Sequence, residues 1–346
     1  MTAPLRVGVV GVGIMGADHA ERLASRIAGA DLVAVADADV DHASEVAARH
    51  PGVRATADAF DLIAADDVDA VLIASPGFAH EEQVLACLAH GKYTLCEKPL
   101  TTDSASALRL VEAERDKVGR PLVQVGFMRR FDPEYVELKH LIDSGRLGRL
   151  LVLHNIHRNK TSPPWFRDSS SIVNDSLVHE VDVCRWLFAE EIETITVLTP
   201  ATSGRAPVGL RDPQVAIFQL AGGGMATTEV FVNSHVGYEV RCEAVAELGS
   251  ATIGLGQNLL VRRDNGYGGH IPDDYRVRFA RAYDIEVQDW VRACRRGTVV
   301  GPTTWDGYAA TAVAEAGVAS LATGRPVRVE LADRAAARHL CPEQGA

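Results

Sequence analysis

The stretch RVGVVGVGIMG, residues 6–16, decides the fold of the first part of the chain. A β-branched run ends at a glycine pattern, GVGIMG, which then opens a helix-like segment. In a strand, turn and helix of this kind, the first glycine permits the turn, the second lets a pyrophosphate approach the backbone, and the third allows close helix packing. The stretch predicts a dinucleotide-phosphate site at Gly11, Gly13, Ile14, Met15 and Gly16.

Asp37 strengthens this interpretation, because it lies 21 residues after Gly16 at the end of the second apolar run. A carboxylate at that position accepts hydrogen bonds from the adenosine ribose hydroxyls and repels a 2′-phosphate. The pattern therefore favours NAD as cofactor. NADP use stays open, since Ala38 and neighbouring loops could adapt, and the plainest alternative is a glycine-rich turn followed by a surface aspartate.

Five short apolar runs alternate with helix-like segments in the first third of the chain, at residues 6–10, 32–36, 70–74, 93–96 and 122–125. Such alternation is typical of an α/β fold with a doubly wound parallel sheet, whose ligands bind beyond the carboxyl ends of the strands. We expect residues 1–122 to form an NAD-binding Rossmann domain.

After Gly126 the pattern changes to period-two runs with few helices between them. This predicts an α+β domain over residues 123–346, with a large and mostly antiparallel sheet that has helices on one face. The other face would be free for a ligand or another subunit. Strands are predicted at 150–157, 194–198, 215–220, 225–232 and 239–248, and helices at 133–144, 175–188, 284–295 and 306–322.

Composition excludes several classes of protein. The 346 residues have a net charge of −11 and 47% apolar content, so disorder is excluded and binding to nucleic acid is disfavoured. The six cysteines are far apart, which argues against a zinc site and fits reduced thiols. No secretion signal and no apolar run approaching the ~20 residues of a membrane helix are visible. We expect a cytoplasmic protein without a membrane partner.

Two further strand ends belong to the expected cofactor crevice. Ser75, Pro76 and His80 follow the third apolar run, and Glu97 and Lys98 follow the fourth. At the carboxyl edge of the sheet they would lie beside the nicotinamide. His80 could equally be a first-turn helix residue, and Lys98 a solvated ammonium group.

Four segments carry a resemblance to a known family: GVGIMG at 11–16, EKP at 97–99, GFMRRFD at 126–132 and DSLVHEVD at 175–182. Together they make the chain similar to the Gfo/Idh/MocA oxidoreductases along nearly its whole length. Three more segments resemble the inositol 2-dehydrogenase subgroup: GFAHE at 77–81, HRN at 157–159 and GYEVRCE at 237–243.

The resemblance implies NAD-dependent oxidation of a secondary alcohol on a cyclitol or sugar, with myo-inositol to 2-keto-myo-inositol as the leading reaction. It also implies a catalytic group of Lys98, Asp175 and His179. The residues support these roles independently, because Asp175 and His179 are four apart, on one face of a helix. Histidine is suited to take the hydroxyl proton, and a lysine can stabilise the developing alkoxide. Asp175 could orient the imidazole or bind a neighbouring hydroxyl.

A polyol needs several convergent hydrogen-bonding groups, because its hydroxyls both donate and accept. Besides the catalytic group, the candidates for substrate binding are Arg129, His157, Asn159, Asn174 and Tyr238. Arg129 could instead contact the cofactor, and Arg130 could be structural. His154 and His157 are three apart and point to opposite faces of a strand, so no metal is predicted.

Several functions stay open at this point. Another inositol isomer, an aminocyclitol precursor or an aldose could be the substrate. From a different class, related proteins cleave glycosides through a transient ketone with bound NAD, or regulate sugar pathways without catalysis; fold alone does not separate these. An uncovered apolar sheet face would need a partner, which predicts a homo-oligomer, either a dimer or a homotetramer.

Overall fold

The computed structural model describes residues 3–255, 261–263, 266–333 and 337, and these form two compact units. The first unit contains residues 3–128 and Tyr283–Thr311, and the second contains Arg129–Ala282 and Ala312–Glu330. The expected domain boundary between residues 122 and 123 thus differs from the boundaries of the two units, since the first unit runs to Met128 and resumes at Tyr283. The reason lies in the core, where Val287, Trp290 and Val291 from the later segment are buried with Val7 and Val9 of the first strand.

The first unit has a six-stranded, wholly parallel sheet in the order β3-β2-β1-β4-β5-β6. Its strands are β1 (Leu5–Val10), β2 (Ala30–Ala36), β3 (Arg54–Thr56), β4 (Ala70–Ile73), β5 (Tyr93–Glu97) and β6 (Val123–Gly126). The five strands predicted from apolar runs are confirmed. Strand β3 was not predicted, since its three residues, RAT, form no apolar run and are only half-buried.

Helices connect these strands, as a parallel sheet requires. They are α1 (Ile14–Ser25), α2 (Val40–Ala47), α3 (Ala59–Ala64), α4 (His80–Ala89) and α5 (Ser104–Lys117). Strand β4 is buried along its whole length, which matches a strand covered on both faces. The predicted doubly wound α/β domain is confirmed.

The second unit contains a seven-stranded sheet in the order β12-β11-β7-β10-β9-β8-β15. Of its neighbouring pairs, β7 and β10 are parallel and the others are antiparallel. The strands of this sheet are β7 (Leu150–Arg158), β8 (Ile192–Leu198), β9 (Gln214–Leu220), β10 (Met225–Phe231), β11 (Glu239–Ala246), β12 (Gly249–Ile253) and β15 (Val327–Arg328). A separate hairpin joins β13 (Val261–Arg263) and β14 (Gly266–Gly268).

The mostly antiparallel sheet is therefore confirmed, with one difference at residues 239–248. That run does not stay one strand, because β11 ends at Ala246 and the chain turns back into β12. The remaining helices are α6 (Pro133–Asp143), α7 (Val178–Phe188), α8 (Tyr275–Arg278), α9 (Ala280–Cys294) and α10 (Thr304–Thr323). No helix among the described residues is both long and apolar enough to cross a bilayer.

The two faces of the second sheet differ. Leu153, Asn155 and His157 of β7 are buried, whereas His154 is exposed and Ile156 is half-buried. His154 and His157 thus lie on opposite faces, as the strand periodicity predicts. The described residues contain no group of three or more His, Cys, Asp or Glu side chains arranged to hold a metal ion.

The cysteines fit the expectation of buried thiols. Cys87, Cys96, Cys184, Cys242 and Cys294 are all buried and free of disulfides. Burial raises the pKa of both Cys87 and Cys242 to about 12, so these thiols stay protonated. Cys341 lies outside the described residues.

Candidate active site

The glycine loop has the geometry that a dinucleotide requires. Gly11 has a φ of +78°, and a Cβ there would lie 2.4 Å from the backbone N of Ser75. A Cβ on Gly16 would lie 1.7 Å from the carbonyl oxygen of Gly11, so the helix can pack closely only with glycine. By contrast, a Cβ on Gly13 would have no neighbour within 4 Å. Gly13, at the start of α1, thus leaves space for a phosphate beside the helix N-terminus.

Asp37 lies directly against this loop. Its Oδ2 accepts a hydrogen bond from the backbone N of Val12 over 2.9 Å, and its Oδ1 accepts one from Asp39 over 3.0 Å. The carboxylate is thereby fixed beside the glycine turn, where a ribose would be held. The loop and the acid together fit NAD.

Lys98 follows β5 at the carboxyl edge of the sheet, and its side chain is half-buried. The peptide bond between Lys98 and Pro99 is cis. In the carboxylate of Glu97, Oε2 accepts from the backbone N of Lys98 over 3.2 Å, and Oε1 lies 2.9 Å from Nε2 of His19. In this arrangement Glu97 holds the Lys98 backbone in place. The cofactor contact expected of Glu97 stays a prediction.

A chain of charged groups continues behind Glu97. Arg22 donates from Nη1 to Nδ1 of His19 over 3.2 Å, and from Nε to Asp284 Oδ1 over 2.7 Å. His19 can therefore donate its Nε2 proton to Glu97. This network was not predicted, although His19 and Arg22 are polar residues on the buried face of α1, a position that indicates buried polar contacts.

His80 connects the loop after β4 to the loop after β5 at the carboxyl edge of the sheet. Its Nδ1 lies 2.8 Å from the carbonyl oxygen of Pro99, and its Nε2 lies 2.8 Å from that of Ser75. Burial lowers the pKa of His80, and a neutral ring donates to one of these oxygens. The nearby Ser75 hydroxyl donates to Gln83 over 2.6 Å, and Pro76 is exposed. The cofactor contacts expected of Ser75, Pro76 and His80 stay predictions.

In the second unit, Asp175 and His179 lie on consecutive helical segments. Asp175 belongs to a π-helical turn, Ile172–Leu177, and His179 is the second residue of α7. The expectation of one regular α-helix over 175–188 is thus corrected at its start. Turns of the π type are frequent at functional sites. His179 is buried, Asp175 is half-buried, and the neighbouring Asn174 is exposed.

Beside His179 lies a buried cluster of polar side chains. The ring centroids of His157 and His179 are 6.3 Å apart, and those of His157 and Tyr238 are 5.6 Å apart. Nδ1 of His157 lies 3.2 Å from Oε2 of Glu180, whose Oε1 accepts from Nη1 of Arg129. Burial raises the pKa of Tyr238 to about 12, so its hydroxyl stays protonated. The structure thus brings together four of the predicted substrate residues, Arg129, His157, His179 and Tyr238.

Glu180 was absent from our predicted site. Burial by itself would raise its pKa, but the charge of Arg129 and the hydrogen bonds from Arg129 and His157 outweigh this, and the pKa lies below its ordinary value. The signal in the sequence was weak, because an acid after His179 on a helix usually faces solvent. Arg130 donates from Nε to Asp182 Oδ2 over 3.0 Å, and its structural role stays a prediction.

Asn159 follows β7 and is held by its backbone. Its N donates to the carbonyl oxygen of Phe231 over 3.0 Å, and its own carbonyl accepts from Ser234 N over 3.0 Å. The side-chain Oδ1 of Asn159 is buried and has no hydrogen-bond partner among the described residues. A buried acceptor of this kind suits a polyol hydroxyl as its partner.

Comparison with known proteins fits this geometry. Residues 5–127 match the model of an oxidoreductase family with an NAD-binding Rossmann fold, and residues 135–252 match the GFO/IDH/MocA C-terminal domain. The chain belongs to the GFO/IDH/MocA oxidoreductase family. Its first unit is an NAD-binding domain, and the protein is an NAD-dependent dehydrogenase, as predicted.

Three relatives illustrate the similarity. The inositol 2-dehydrogenase of Mycolicibacterium smegmatis is 54% identical over 339 residues, which cover 96% of this chain and 98% of the relative. The myo-inositol dehydrogenase of Lactobacillus casei, in complex with NAD(H) and myo-inositol, has a TM-score of 0.92 at 33% identity, over 95% of this chain and 98% of the other. The scyllo-inositol dehydrogenase of the same organism, with NAD(H) and scyllo-inositol, has a TM-score of 0.87 at 28% identity, over 94% and 99%.

Proposed function

We propose that the protein is an inositol 2-dehydrogenase that oxidises myo-inositol to 2-keto-myo-inositol. The observation that carries this proposal is the buried cluster of His157, His179 and Tyr238, which offers converging polar groups to an uncharged, hydroxyl-rich ligand. The similarity to inositol dehydrogenases supports the choice of substrate class.

Three residues perform the chemistry in this proposal. Bound NAD⁺ supplies the acceptor for the hydride that leaves the carbinol carbon. His179 takes the hydroxyl proton, since imidazole titrates near neutral pH. Lys98 stabilises the negative charge that develops on the oxygen as the ketone forms. Asp175 orients His179 or binds the neighbouring hydroxyl; both roles fit its place one turn before His179.

Substrate recognition is assigned to the remaining polar groups. His157, Asn159 and Tyr238 would bind ring hydroxyls, and the exposed Asn174 would contact the substrate from the π-helical turn. Arg129 is committed to Glu180 and His157 within the second unit. We therefore assign Arg129 an indirect part in substrate binding, through His157.

The function is tested by measuring reduction of NAD⁺ with a panel of inositol isomers, aldoses and glycosides. We expect myo-inositol to give the highest kcat/KM. We also expect Lys98→Ala and His179→Ala to lower kcat by at least about 100-fold, the scale of a lost acid, base or charge-stabilising group, while NADH still binds by fluorescence. A folded protein that binds NADH but oxidises no polyol would contradict the proposal, and release of an aglycone without net NADH would indicate a glycosidase.

We further propose that the half-buried face of the second sheet joins copies of the chain into a dimer or homotetramer. Ile156 and Phe231 belong to this face, and Arg158 there pairs with Glu229 at 2.7 Å and with Glu239 at 3.0 Å. Apolar side chains beside a fixed charge network suit a self-complementary interface. Light scattering should give a dimer or tetramer, and a monomer at micromolar concentration would refute the interface. The cytoplasmic location stays a prediction.

A further inference from the structure

Glu180 has two different partners at the centre of the second unit. One carboxylate oxygen accepts from Arg129, and the other faces Nδ1 of His157 at 3.2 Å. All three side chains are almost fully buried, with exposures of 1% for Arg129, 1% for Glu180 and 3% for His157. Water does not compete for these contacts, so the protein alone decides how the imidazole is protonated and held.

Two opposite charges compete for the same ring nitrogen. Nη2 of Arg129 lies 3.3 Å from Nδ1 of His157, and a guanidinium can only donate. Glu180 is ionised and can only accept, and its second oxygen gains a donor only if Nδ1 carries a proton. Nη1 of Arg129 already donates to the first oxygen of Glu180. We therefore place a proton on Nδ1 of His157, which donates it to the second oxygen of Glu180. In the neutral imidazole, a proton on Nδ1 leaves Nε2 of His157 as a hydrogen-bond acceptor.

We propose that Glu180 is a positioning residue for the polyol: it holds His157 in the Nδ1-protonated tautomer, so that Nε2 accepts a hydrogen bond from one ring hydroxyl. The inference rests on the proposed function, because it assumes that His157 contacts the substrate. It adds to that function a residue that favours substrates whose hydroxyl at this position can donate a hydrogen bond to His157. A substrate with an ether or a keto group there would be disfavoured.

A neighbouring ion pair shows that Glu180 does more than join two segments. Arg130 donates to Asp182 over 2.5 Å and 3.0 Å. Like the pair of Arg129 and Glu180, this pair connects the turn Met128–Phe131 to helix α7. Asp182 is buried too. The two pairs therefore share a structural task, and Glu180 has the contact with His157 in addition. Asp182→Asn is accordingly a matched control.

Steady-state kinetics with NAD⁺ and myo-inositol provide the first test. For Glu180→Gln we expect KM for inositol to rise at least about tenfold with kcat within about threefold, because a binding contact is lost and the reacting groups remain. KM for NAD⁺ should not change. Asp182→Asn should leave both KM values within about twofold of wild type. Equal KM changes in the two variants would reduce Glu180 to a structural residue and overturn the proposal.

The tautomer can be measured independently of turnover. In ¹⁵N-histidine NMR of the NADH-bound protein, with His157→Gln used to assign the signals, wild type should show a protonated Nδ1 and an unprotonated Nε2. In Glu180→Gln the amide can donate to Nδ1, and the Nε2-protonated form should appear. An Nε2-protonated His157 in the wild type would overturn the proposal. If wild type oxidises no polyol but shows the expected tautomer, the proposed function fails and the positioning by Glu180 stands.

Glu180→Asp serves if Glu180→Gln does not fold, with NADH binding as the check of folding. It keeps a charge beside Arg129 and withdraws the carboxylate from His157 by one methylene. The expected result is again a raised KM for inositol, by at least about fivefold, and a mixed tautomer at His157. A wild-type KM with an unchanged tautomer in Glu180→Asp would overturn the proposal.

Discussion

Each unit of the molecule has a buried charge network beside a residue of the proposed site, Lys98 in the first unit and His157 in the second, and the two networks differ in their contact with water. In the first unit, His19 and Glu97 lie behind Lys98, and the chain of charges ends at Asp18 and Asp284, which are 27% and 37% exposed. In the second unit, the Arg129–Glu180 pair beside His157 is almost fully buried from solvent. Water can replace a lost charge at the outer end of the first network but not in the second.

This difference predicts how strongly substitutions in each network lower the free energy of unfolding. An ion pair near the surface is screened and contributes little, whereas a buried pair that loses one member leaves an unpaired charge in a medium of low polarity. The loss in the free energy of unfolding should therefore be large for substitutions at Glu180, intermediate at Glu97 and small at Asp284.

The largest effect is expected for Glu180→Leu. It leaves the Arg129 guanidinium buried without its carboxylate, and should lower the free energy of unfolding by about 3–5 kcal/mol. The double variant Arg129→Met/Glu180→Leu should recover most of this loss, because it leaves no buried charge. Urea unfolding followed by tryptophan fluorescence measures both. A loss below about 1 kcal/mol for the single variant would show that water reaches this pair.

Glu97→Gln should have an intermediate effect. The amide still accepts from His19, but its NH₂ group then faces the backbone N of Lys98, which loses its acceptor; we expect a cost of about 1–3 kcal/mol. Because Lys98 is displaced, kcat should fall by about tenfold or more. Glu81→Gln is a suitable control, since Glu81 pairs with the exposed Arg109. An unchanged kcat in Glu97→Gln would show that Glu97 does not position Lys98 for catalysis.

The stability of the Arg129–Glu180 pair depends on pH. The pKa of Glu180 in the folded protein lies below its ordinary value of 4.5. Its contribution to stability is therefore complete above pH 4.5 and is lost as the pH falls through the lower folded-state pKa. Between pH 6 and 3 the wild type should lose stability more steeply than Arg129→Met/Glu180→Leu. Parallel curves would mean that the pair does not depress this pKa.

Asp284→Asn should have the smallest effect. Arg22 also donates to Asp18 over 2.8 Å, and solvent reaches the position of Asp284. We expect a loss below about 1 kcal/mol and an unchanged kcat. A loss as large as that of Glu180→Leu would remove the distinction between the two networks.

Much of the fold was predictable because its signals are local. The glycine loop, Asp37 and the five apolar runs each follow from a few adjacent residues, and the structure confirms the sheet they predict. The return of α9 to the first core was not predictable, since nothing local tells which sheet will bury Trp290 and Val291. The turn between β11 and β12 was missed because apolar alternation continues through Ala246 to Leu248.

The site was predictable to a lesser degree. Lys98, Asp175 and His179 were named from motifs, and their joint action stays a proposal. The partners that hold these groups were missed, because His19 meets Glu97, and Arg129 meets Glu180, only through folding: the members of these pairs are 78 and 51 residues apart. The π-helical turn around Asp175 has no sequence signature that period or propensity would detect.

The most direct test of the account is transfer of deuterium from myo-inositol labelled on the C2 carbinol carbon. The labelled substrate is incubated with the enzyme and NAD⁺ in ordinary water, and the reduced cofactor is analysed by mass spectrometry and NMR. Direct hydride transfer from C2 predicts deuterium at nicotinamide C4, in a one-to-one ratio to the ketone formed. Reduced cofactor without deuterium, or a ketone product that still carries the label, would rule out this transfer.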